Sequence, residues 1–275
     1  MKHGYSGDQL QVFKKANIFY IRKIYKNKAR AQISIFKQSS FTRITSGNYQ
    51  MTAVPILGYL NIDDKIGIEM PYISGEAGSD LMLSGYIDVP KSLKELLGMY
   101  LSSILDKSDI KTMDAKPGLK KIEHIKSTTP LVWHKYLDKG KEFFIKEINK
   151  KDVPYPSGVC HGDLTLSNIL YKNGCFYLID FIPSTYESVL SDIVKLEQDL
   201  TFGWSSRNCA REVACDLALF SRSATPEVIN LIKSHNRMAF DAIEILNWLR
   251  IIPYIIDEKT EKFVTKTLDQ IFSSK

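Results

Sequence analysis

The sequence predicts an α+β protein in which a small, strand-rich first third precedes a large, mostly helical remainder. Residues 10–26 hold two β-type runs around Lys14–Asn17, which is a hairpin signal. Residues 53–75 predict two further strands joined by a polar turn. The apolar spacing then becomes helical over most of the chain. We therefore expect the boundary between the two parts near Gly75.

The helices are predicted from the spacing of apolar side chains. In the first third, residues 27–40 carry Ala29, Ile33 and Phe36 at helical spacing. After the boundary, the same criterion predicts helices at 91–107, 127–148, 185–200, 207–222, 226–235 and 238–252. Only residues 158–181 interrupt this pattern, with short β-like pieces around polar side chains.

The composition is that of a soluble globular protein, with 44% hydrophobic and 25% charged residues in a chain of 275. The most apolar late stretch, residues 240–256, contains charged residues and Pro253, so it predicts a core helix and no membrane span. The first residues lack the apolar core of a signal peptide. The four cysteines form no CxxC pair, which favours a cytoplasmic protein with thiols as core filler.

The net charge of +6 is concentrated at the start of the chain. Residues 1–45 hold ten Lys and Arg residues and a single acid, Asp8. Such a segment suits nucleic acid, a membrane surface or nucleotide phosphates, and equally a solvated face of ordinary lysines. Nucleic acid is disfavoured, because the segment lacks the interleaved exposed aromatic residues that base stacking needs.

Polar residues with metal-binding chemistry interrupt an apolar stretch in the middle of the chain. Residues 160–181 are CHGDLTLSNILYKNGCFYLIDF, in which Asn168 follows Asp163 by five positions and Asp180 comes twelve later. Mg²⁺ prefers oxygen ligands, usually one or two carboxylates with nucleotide phosphates and water. Each residue alone is more commonly a cap or turn residue. Their combined spacing matches the Asp, Asn and second Asp of phosphoryl-transfer sites.

The pattern HGDLTLSNIL…LIDF resembles the catalytic and metal-binding segments of the aminoglycoside phosphotransferase and choline kinase family. These are small-molecule kinases with a protein-kinase-like fold, and the likeness is strong over residues 158–200. The resemblance implies a bilobal fold, with a β-rich N-lobe of residues 1–75 and a mainly helical C-lobe of residues 76–275. It also implies ATP and Mg²⁺ as cofactors and a small-molecule hydroxyl as acceptor.

The resemblance gives each polar residue of the central segment a role. Asp163 would be the catalytic base that orients the acceptor hydroxyl, while Asn168 and Asp180 would bind magnesium. His161 would be a scaffold for the catalytic loop and not a proton carrier. Asp192 would brace that loop by hydrogen bonds, a role that differs little from that of a plain helix cap.

The N-lobe would supply the phosphate-binding groups. The segment HGYSGD (3–8) resembles the family's glycine-containing loop, which would bring Gly4, Ser6 and Gly7 close to the nucleotide phosphates. Lys23 in FYIRKI is the best match to the strand lysine that holds the α- and β-phosphates. The alternation of this strand also allows the reverse, with Arg22 pointing into the cleft.

The segment EMPYISG (69–75) resembles the hinge, where the backbone near Met70 and Tyr72 would meet adenine. One departure concerns the lysine partner, because kinases pair the strand lysine with a helix glutamate. Residues 27–45 contain no acid. Candidates for the missing partner are Gln32, Gln38, Glu69 or another distant carboxylate. A non-catalytic nucleotide-binding scaffold that keeps the kinase shell therefore stays open as a second interpretation.

The same segment separates small-molecule kinases from protein kinases. Gly162 stands where protein kinases carry an Arg, and only eleven residues separate Asp180 from Asp192, which is too short for a peptide-docking platform. A small hydroxylated acceptor is expected.

The chemistry of the acceptor stays open. Acids and bases are mixed over residues 181–220, so the sequence gives no acidic trough for an aminoglycoside. Tyr186, Phe202 and Trp204 could wall a choline site or equally be core residues. The balance favours a sugar or other polar metabolite, such as a precursor of a surface polysaccharide.

Overall fold

The structure of the chain, a computed structural model, describes residues 2–3, 8–62, 64–82, 88–207 and 214–275, with backbone only at 2–3 and 214–217. The predicted glycine loop with Gly4, Ser6 and Gly7 lies outside the described residues. Within them, no helix is both long and apolar enough to cross a membrane.

Short strands dominate the first third and return in the middle of the chain. They are β1 (Lys2–His3), β2 (Gln9–Lys15), β3 (Ile18–Ile24), β4 (Ile44–Ser46), β5 (Tyr49–Ala53), β6 (Gly58–Ile62), β7 (Lys65–Pro71), β8 (Glu76–Ala77), β9 (Asp109–Thr112), β10 (Pro154–Ser157), β11 (Ile169–Lys172) and β12 (Cys175–Leu178). In the described residues they form a sheet of order β1-β2-β3-β7-β6, a sheet of order β4-β5-β12-β11-β8, and the pair β10-β9.

Helices make up most of the rest. They are α1 (Lys28–Ser39), α2 (Gly78–Leu81), α3 (Asp88–Asp106), α4 (Ala115–Thr128), α5 (His134–Phe143), α6 (Val189–Leu200), α7 (Ala214–Ala224), α8 (Val228–His235), α9 (Arg237–Leu249) and α10 (Glu258–Ser273). A π-helical turn at Phe144–Ile148 continues α5, and 3₁₀ turns lie at Leu131–Trp133, Leu166–Asn168 and Ile252–Tyr254.

The predicted N-terminal hairpin is confirmed. Strands β2 and β3 pair antiparallel, with Lys15 opposite Ile18. Between them Ala16 and Asn17 have φ angles of 48° and 63°. Positive φ at both central residues is the mark of a type I′ turn, whose twist matches that of the strands it joins. The predicted strands of residues 53–75 are confirmed as β6 and β7.

The second sheet joins the first third of the chain to its centre. Strand β5 runs parallel to β12, with Met51 opposite Phe176, and β12 turns back on β11 through Asn173 and Gly174 at positive φ. The sequence does not predict β4 and β5, because both are short and β5 finds a partner strand far away along the chain. The division into lobes near Gly75 stays a prediction.

The main core surrounds α6, which the sequence predicts within residues 185–200. Every residue of α6 is buried, and the helix packs against α3 and α9. The sequence does not predict α4, because Pro117 and Gly118 near its start favour a turn. Proline is tolerated in the first turn of a helix, where its missing N–H has no helical partner. Gly118 lets α4 approach the Phe144 ring closely.

This close approach makes a stability prediction. A Cβ added at Gly118 would lie 2.3 Å from Cε1 of Phe144, so we expect Gly118→Ala to lower the free energy of unfolding by about 1–3 kcal/mol through overpacking. The matched control is Gly98→Ala in α3, where the nearest atom is 3.8 Å away. There the higher helix propensity of alanine should stabilise by up to about 1 kcal/mol. Urea unfolding measures both, and equal effects would contradict the packing argument.

Candidate active site

The loop that carries Asp163 depends on a glycine. Gly162 has a φ of +90°, and a Cβ there would lie 2.2 Å from the carbonyl oxygen of Ile182. Only glycine combines this backbone angle with so close an approach. Consequently the backbone turns sharply just before Asp163, and the side chain of Asp163 is half-buried.

A buried carboxylate on α6 binds the backbone of the loop that carries Asp163. Asp192, on α6, is fully buried and accepts the backbone N–H of His161 at 2.8 Å and that of Gly162 at 2.7 Å. The hydroxyl of Tyr100 donates to it at 2.8 Å. Burial raises the pKa of the Asp192 carboxyl, and the three hydrogen bonds act in the opposite direction. The hydrogen-bonded geometry is that of a brace for the loop.

His161 links the loop to strand β12. Its Nε2 lies 2.8 Å from the carbonyl oxygen of Ile179, and its Nδ1 accepts the backbone N–H of Asp163 at 3.2 Å. Burial lowers the pKa of the imidazole, which favours its neutral form. Both ring nitrogens are thus engaged with backbone groups. The ring also packs 4.2 Å from that of Phe181, measured between centroids.

The structure brings Asp163 and Asn168 into direct contact. The Asn168 amide donates to the backbone oxygen of Asp163 at 2.8 Å and to its Oδ2 at 3.1 Å. The amide nitrogen therefore faces Asp163, and the amide oxygen points away from it. On the other side of the carboxylate, Oδ1 lies 2.7 Å from Nζ of Lys195 and 3.4 Å from the guanidinium of Arg250.

Asp180 lies next to this pair through the pairing of β11 and β12. The N–H of Ile179, the residue before it, donates to the backbone oxygen of Asn168 at 3.0 Å. Asp180 itself has a φ of +60°, a left-handed conformation that is uncommon for a residue other than glycine. Such conformations cluster at functional sites, where the surrounding structure enforces them. The carboxylate projects from the end of β12 and is 45% exposed.

Lys23 reaches Asp180 from the first sheet. Its Nζ lies 2.8 Å from Oδ1 of Asp180 and 4.0 Å from Oδ2 of Asp8. Lys23 is 5% exposed, so its ammonium needs these carboxylates to offset the cost of burial. Arg22 points the other way and pairs with Glu69 at 2.6 Å. Of the two orientations that the sequence allows, the structure has the one in which Lys23 faces Asp180.

The missing helix acid is replaced by other contacts. Gln38 donates to the backbone oxygen of Val54 at 2.7 Å and to the sulfur of Met70. Glu69 pairs with Arg22. Gln38 and Glu69 are therefore engaged elsewhere, and Lys23 takes the distant carboxylates Asp180 and Asp8.

Helix α1 carries a lysine that contacts the later part of the chain. Lys37 is 4% exposed. Its Nζ lies 2.5 Å from Oε2 of Glu187 and donates to the carbonyl oxygen of Ile182 at 2.6 Å. Two cation–carboxylate pairs, Lys23–Asp180 and Lys37–Glu187, thus connect the first third of the chain to the segment that follows β12.

The predicted hinge residues lie at the end of β7. Met70 is buried opposite Ile21 of β3. Tyr72 is exposed, and its backbone N–H donates to the carbonyl oxygen of Phe19 at 3.1 Å. This N–H is therefore engaged within the protein, and contact of this segment with adenine stays a prediction.

Sequence reasoning missed three residues that shape the site. Asp199 accepts the N–H of Leu166 at 2.7 Å and so fixes the far end of the loop that carries Asp163. Lys195 and Arg250 contact Asp163. A signal was present for two of them: Asp192, Lys195 and Asp199 have the spacing i, i+3, i+7 on a helix with apolar neighbours, which places charged groups on one face.

A cavity of about 710 Å³ opens beside Asp163. Its walls come from the catalytic loop, residues 182–186, helices α6 and α9, and the segment that leads into α10. It also receives side chains from α1 and α4. Lys23, Asp180 and Met70 do not line it, so the Lys23–Asp180 pair lies outside this cavity.

The comparison with protein families identifies the class. A profile of the Phosphotransferase enzyme family matches residues 47–241, more than half of the chain. The chain therefore belongs to this family. A search of curated proteins returned no match.

Solved structures show the fold. A putative fructosamine-3-kinase from Thermobifida fusca YX-ER1 has 11% sequence identity and a TM-score of 0.56, over 100% of this chain and 92% of that one. An amicoumacin kinase, solved in complex with AMP-PNP, Ca²⁺ and Ami, has 12% identity and a TM-score of 0.54, over 97% and 88%. A choline/ethanolamine kinase family protein from Mesorhizobium loti has 13% identity and a TM-score of 0.53, over 98% and 87%. The protein-kinase-like α+β fold is confirmed.

The brace by Asp192 makes a prediction. Asp192→Asn keeps the size of the side chain, but it turns an NH₂ group either toward the N–H of Gly162 or toward the N–H of His161 and the Tyr100 hydroxyl. We expect a loss of about 2–4 kcal/mol in the free energy of unfolding. Tyr100→Phe removes one partner of the carboxylate and should cost about 1 kcal/mol. Urea unfolding of both variants measures the difference, and equal losses would argue against a brace by the carboxylate.

Proposed function

We propose that the chain is an ATP- and Mg²⁺-dependent kinase that phosphorylates a hydroxyl of a small molecule such as a sugar or similar metabolite. The supporting observation is the contact between Asp163 and Asn168 at 3.1 Å, next to an Asp180 that pairs with Lys23 at 2.8 Å. Membership of the Phosphotransferase enzyme family agrees with this reaction type.

The donor atoms suit Mg²⁺. Asn168 directs its amide nitrogen to Asp163, which leaves its carbonyl oxygen as a potential ligand. Asp180 adds an exposed carboxylate. In the described residues no three His, Cys, Asp or Glu side chains gather as a metal site, so phosphate oxygens and water would complete the coordination. Bound there, the ion would neutralise charge on the phosphates.

The residues around Lys23 suit a nucleotide. Its ammonium would bind phosphate oxygens, and Asp180 beside it would turn to the metal. Near Lys23, which lies opposite Ile68 in the sheet, a small apolar cluster includes Ile68 and Met70. Ile21, Ile73 and Ile179 pack against this cluster. Such a surface fits one face of an adenine ring.

Asp163 would act on the acceptor. Its carboxylate would accept the hydroxyl proton while the hydroxyl oxygen forms a bond to the γ-phosphorus. The bond from that phosphorus to the bridging oxygen breaks, and ADP leaves. Lys195 lies 2.7 Å from the same carboxylate and limits its movement. Most of the rate would come from positioning and charge stabilisation, as is general for phosphoryl transfer.

A non-catalytic nucleotide-binding scaffold is the alternative. The absence of an acid in α1 favours it. The presence of Asp163, Asn168 and Asp180 together argues against it. Measuring ATP consumption with a panel of alcohols separates the two, because a scaffold would consume no ATP with any of them.

Asp163 gives the first functional prediction. We expect Asp163→Asn to lower kcat by about 10²–10⁴-fold, since the amide cannot accept the proton, while the affinity for ATP changes by less than about twofold. Asp152→Asn, at an exposed position away from the cavity, is the control. Steady-state kinetics and nucleotide binding measure both effects. Unchanged turnover in Asp163→Asn would remove the proposed role.

Asp180 gives the second functional prediction. We expect Asp180→Asn to weaken binding of a fluorescent ATP analogue at least about tenfold in Mg²⁺, because one carboxylate ligand is lost. In EDTA the variant and the parent protein should bind the analogue alike to within a few-fold. A loss of equal size in EDTA would show that Asp180 acts through Lys23 or the fold, and not through the metal.

A further inference from the structure

The cavity beside Asp163 has a pronounced charge. At about 710 Å³ it lies within the range of small-molecule sites. The basic side chains that line it are Arg30, Lys121, Lys195, Arg207 and Arg250. Among the described residues the acids in its wall are Asp163 and Asp257. The wall therefore carries an excess of positive charge.

Asp257 offsets only part of this excess: hydrogen bonds from Thr260 and then the charge of Arg207 lower the pKa of its carboxyl. It is the N-cap of α10, where it accepts the backbone N–H of Thr260 at 2.7 Å and the Thr260 hydroxyl at 2.8 Å. Two acids that are close in sequence to other lining residues pair with lysines that do not line the cavity. Glu187 pairs with Lys37, and Glu197 pairs with Lys233 at 2.6 Å.

Three of the described cations form no close ion pair with a carboxylate. Within the described residues, no carboxylate lies within 4.0 Å of the charged nitrogens of Arg30, Lys121 or Arg207. The Nε atom of Arg30 is buried without a hydrogen-bond partner. Burial lowers the pKa of Lys121, and the neighbouring cations Arg250 and Arg30 lower it further. Mutually repelling cations of this kind are stabilised by a bound anion.

Arg207 is held in position. Its guanidinium carbon lies 3.8 Å from the centroid of the Trp204 ring, and its Nη1 donates to the backbone oxygen of Trp204 at 2.9 Å. The Trp204 ring packs in turn against Trp248 and Phe263. Since a stacked guanidinium loses little further entropy on binding, Arg207 is suited to recognise an acidic group.

We propose that the acceptor is an anionic small molecule, a hydroxylated compound with a carboxylate, phosphate or sulfate group. The acidic group binds among Arg30, Lys121 and Arg207, and the hydroxyl lies against Asp163. This inference rests on the proposed kinase function and specifies its substrate class. It excludes cationic acceptors such as choline or amino sugars, which the same charges repel.

Inorganic sulfate is the first probe, because it tests the anion site without catalysis. Sulfate is titrated into the full chain at constant ionic strength and saturating AMP-PNP and Mg²⁺, with binding followed by calorimetry. We expect saturable binding that Lys121→Gln and Arg207→Gln each weaken about tenfold, the loss of one charge-assisted contact. Lys120→Gln, which removes the same charge from the adjacent exposed position of α4 outside the cavity, should bind as the parent does.

Two results would overturn the anion site. One is the absence of saturable sulfate binding, or binding that the two variants leave unchanged. The other is sulfate binding that AMP-PNP abolishes, since the cations would then serve the nucleotide. Failure of phosphoryl transfer itself would leave these measurements intact, so the two hypotheses fail separately.

Acceptor assays then distinguish the sources of the acidic group. ATP consumption is compared for glucuronate, glucose 1-phosphate and glucose 6-sulfate against glucose, glucosamine and choline. Turnover with an acidic compound, with KM raised about tenfold in Lys121→Gln and kcat nearly unchanged, supports the proposal. Turnover confined to neutral or cationic compounds contradicts it. If no compound is phosphorylated, the sulfate titration decides.

Discussion

The buried carboxylate of Asp192 is the interaction on which the site depends. It lies inside a helix that is buried along its whole length, and it binds two consecutive backbone N–H groups just before Asp163. A carboxylate in that position is costly unless each oxygen is satisfied. Because the loop in this conformation supplies two of the three hydrogen bonds that satisfy Asp192, the packing of α6 and the geometry of Asp163 are coupled.

Paired charges join the two parts of the molecule. The basic first segment supplies Lys23 and Lys37, and the segment after β12 supplies Asp180 and Glu187. These ion pairs thus explain two of the lysines in the positively charged first segment. Under the proposed function, a metal ion bound by Asp180 would leave Lys23 free to bind a phosphate, so nucleotide binding would act on a contact that joins the two parts of the chain.

The sequence predicted best those site residues that lie close to one another along the chain. Asp163, Asn168 and Asp180 were predicted as one group because eighteen residues contain them all, in a spacing that suits one chemistry. Lys23 was found through strand alternation, with its orientation left open. Arg250 was missed, since nothing local distinguishes an arginine at a helix end from an ordinary surface charge. For Lys195 the local signal was its helical spacing from Asp192 and Asp199, and this spacing does not show that the lysine contacts Asp163. The basic character of the cavity likewise depends on side chains from α1, α4 and the loop after α6.

The sequence by itself determined the class of fold, the first hairpin and most helices, and it predicted the group of Asp163, Asn168 and Asp180, because these follow from periodicity and close spacing. The tertiary structure alone decided which carboxylates meet Lys23, that β5 pairs with β12, and which charges face the cavity. Those outcomes depend on contacts between residues more than a hundred positions apart, such as Lys23 with Asp180. Local sequence pattern carries no information about which of several acids will satisfy a buried cation; the packing of the whole chain does.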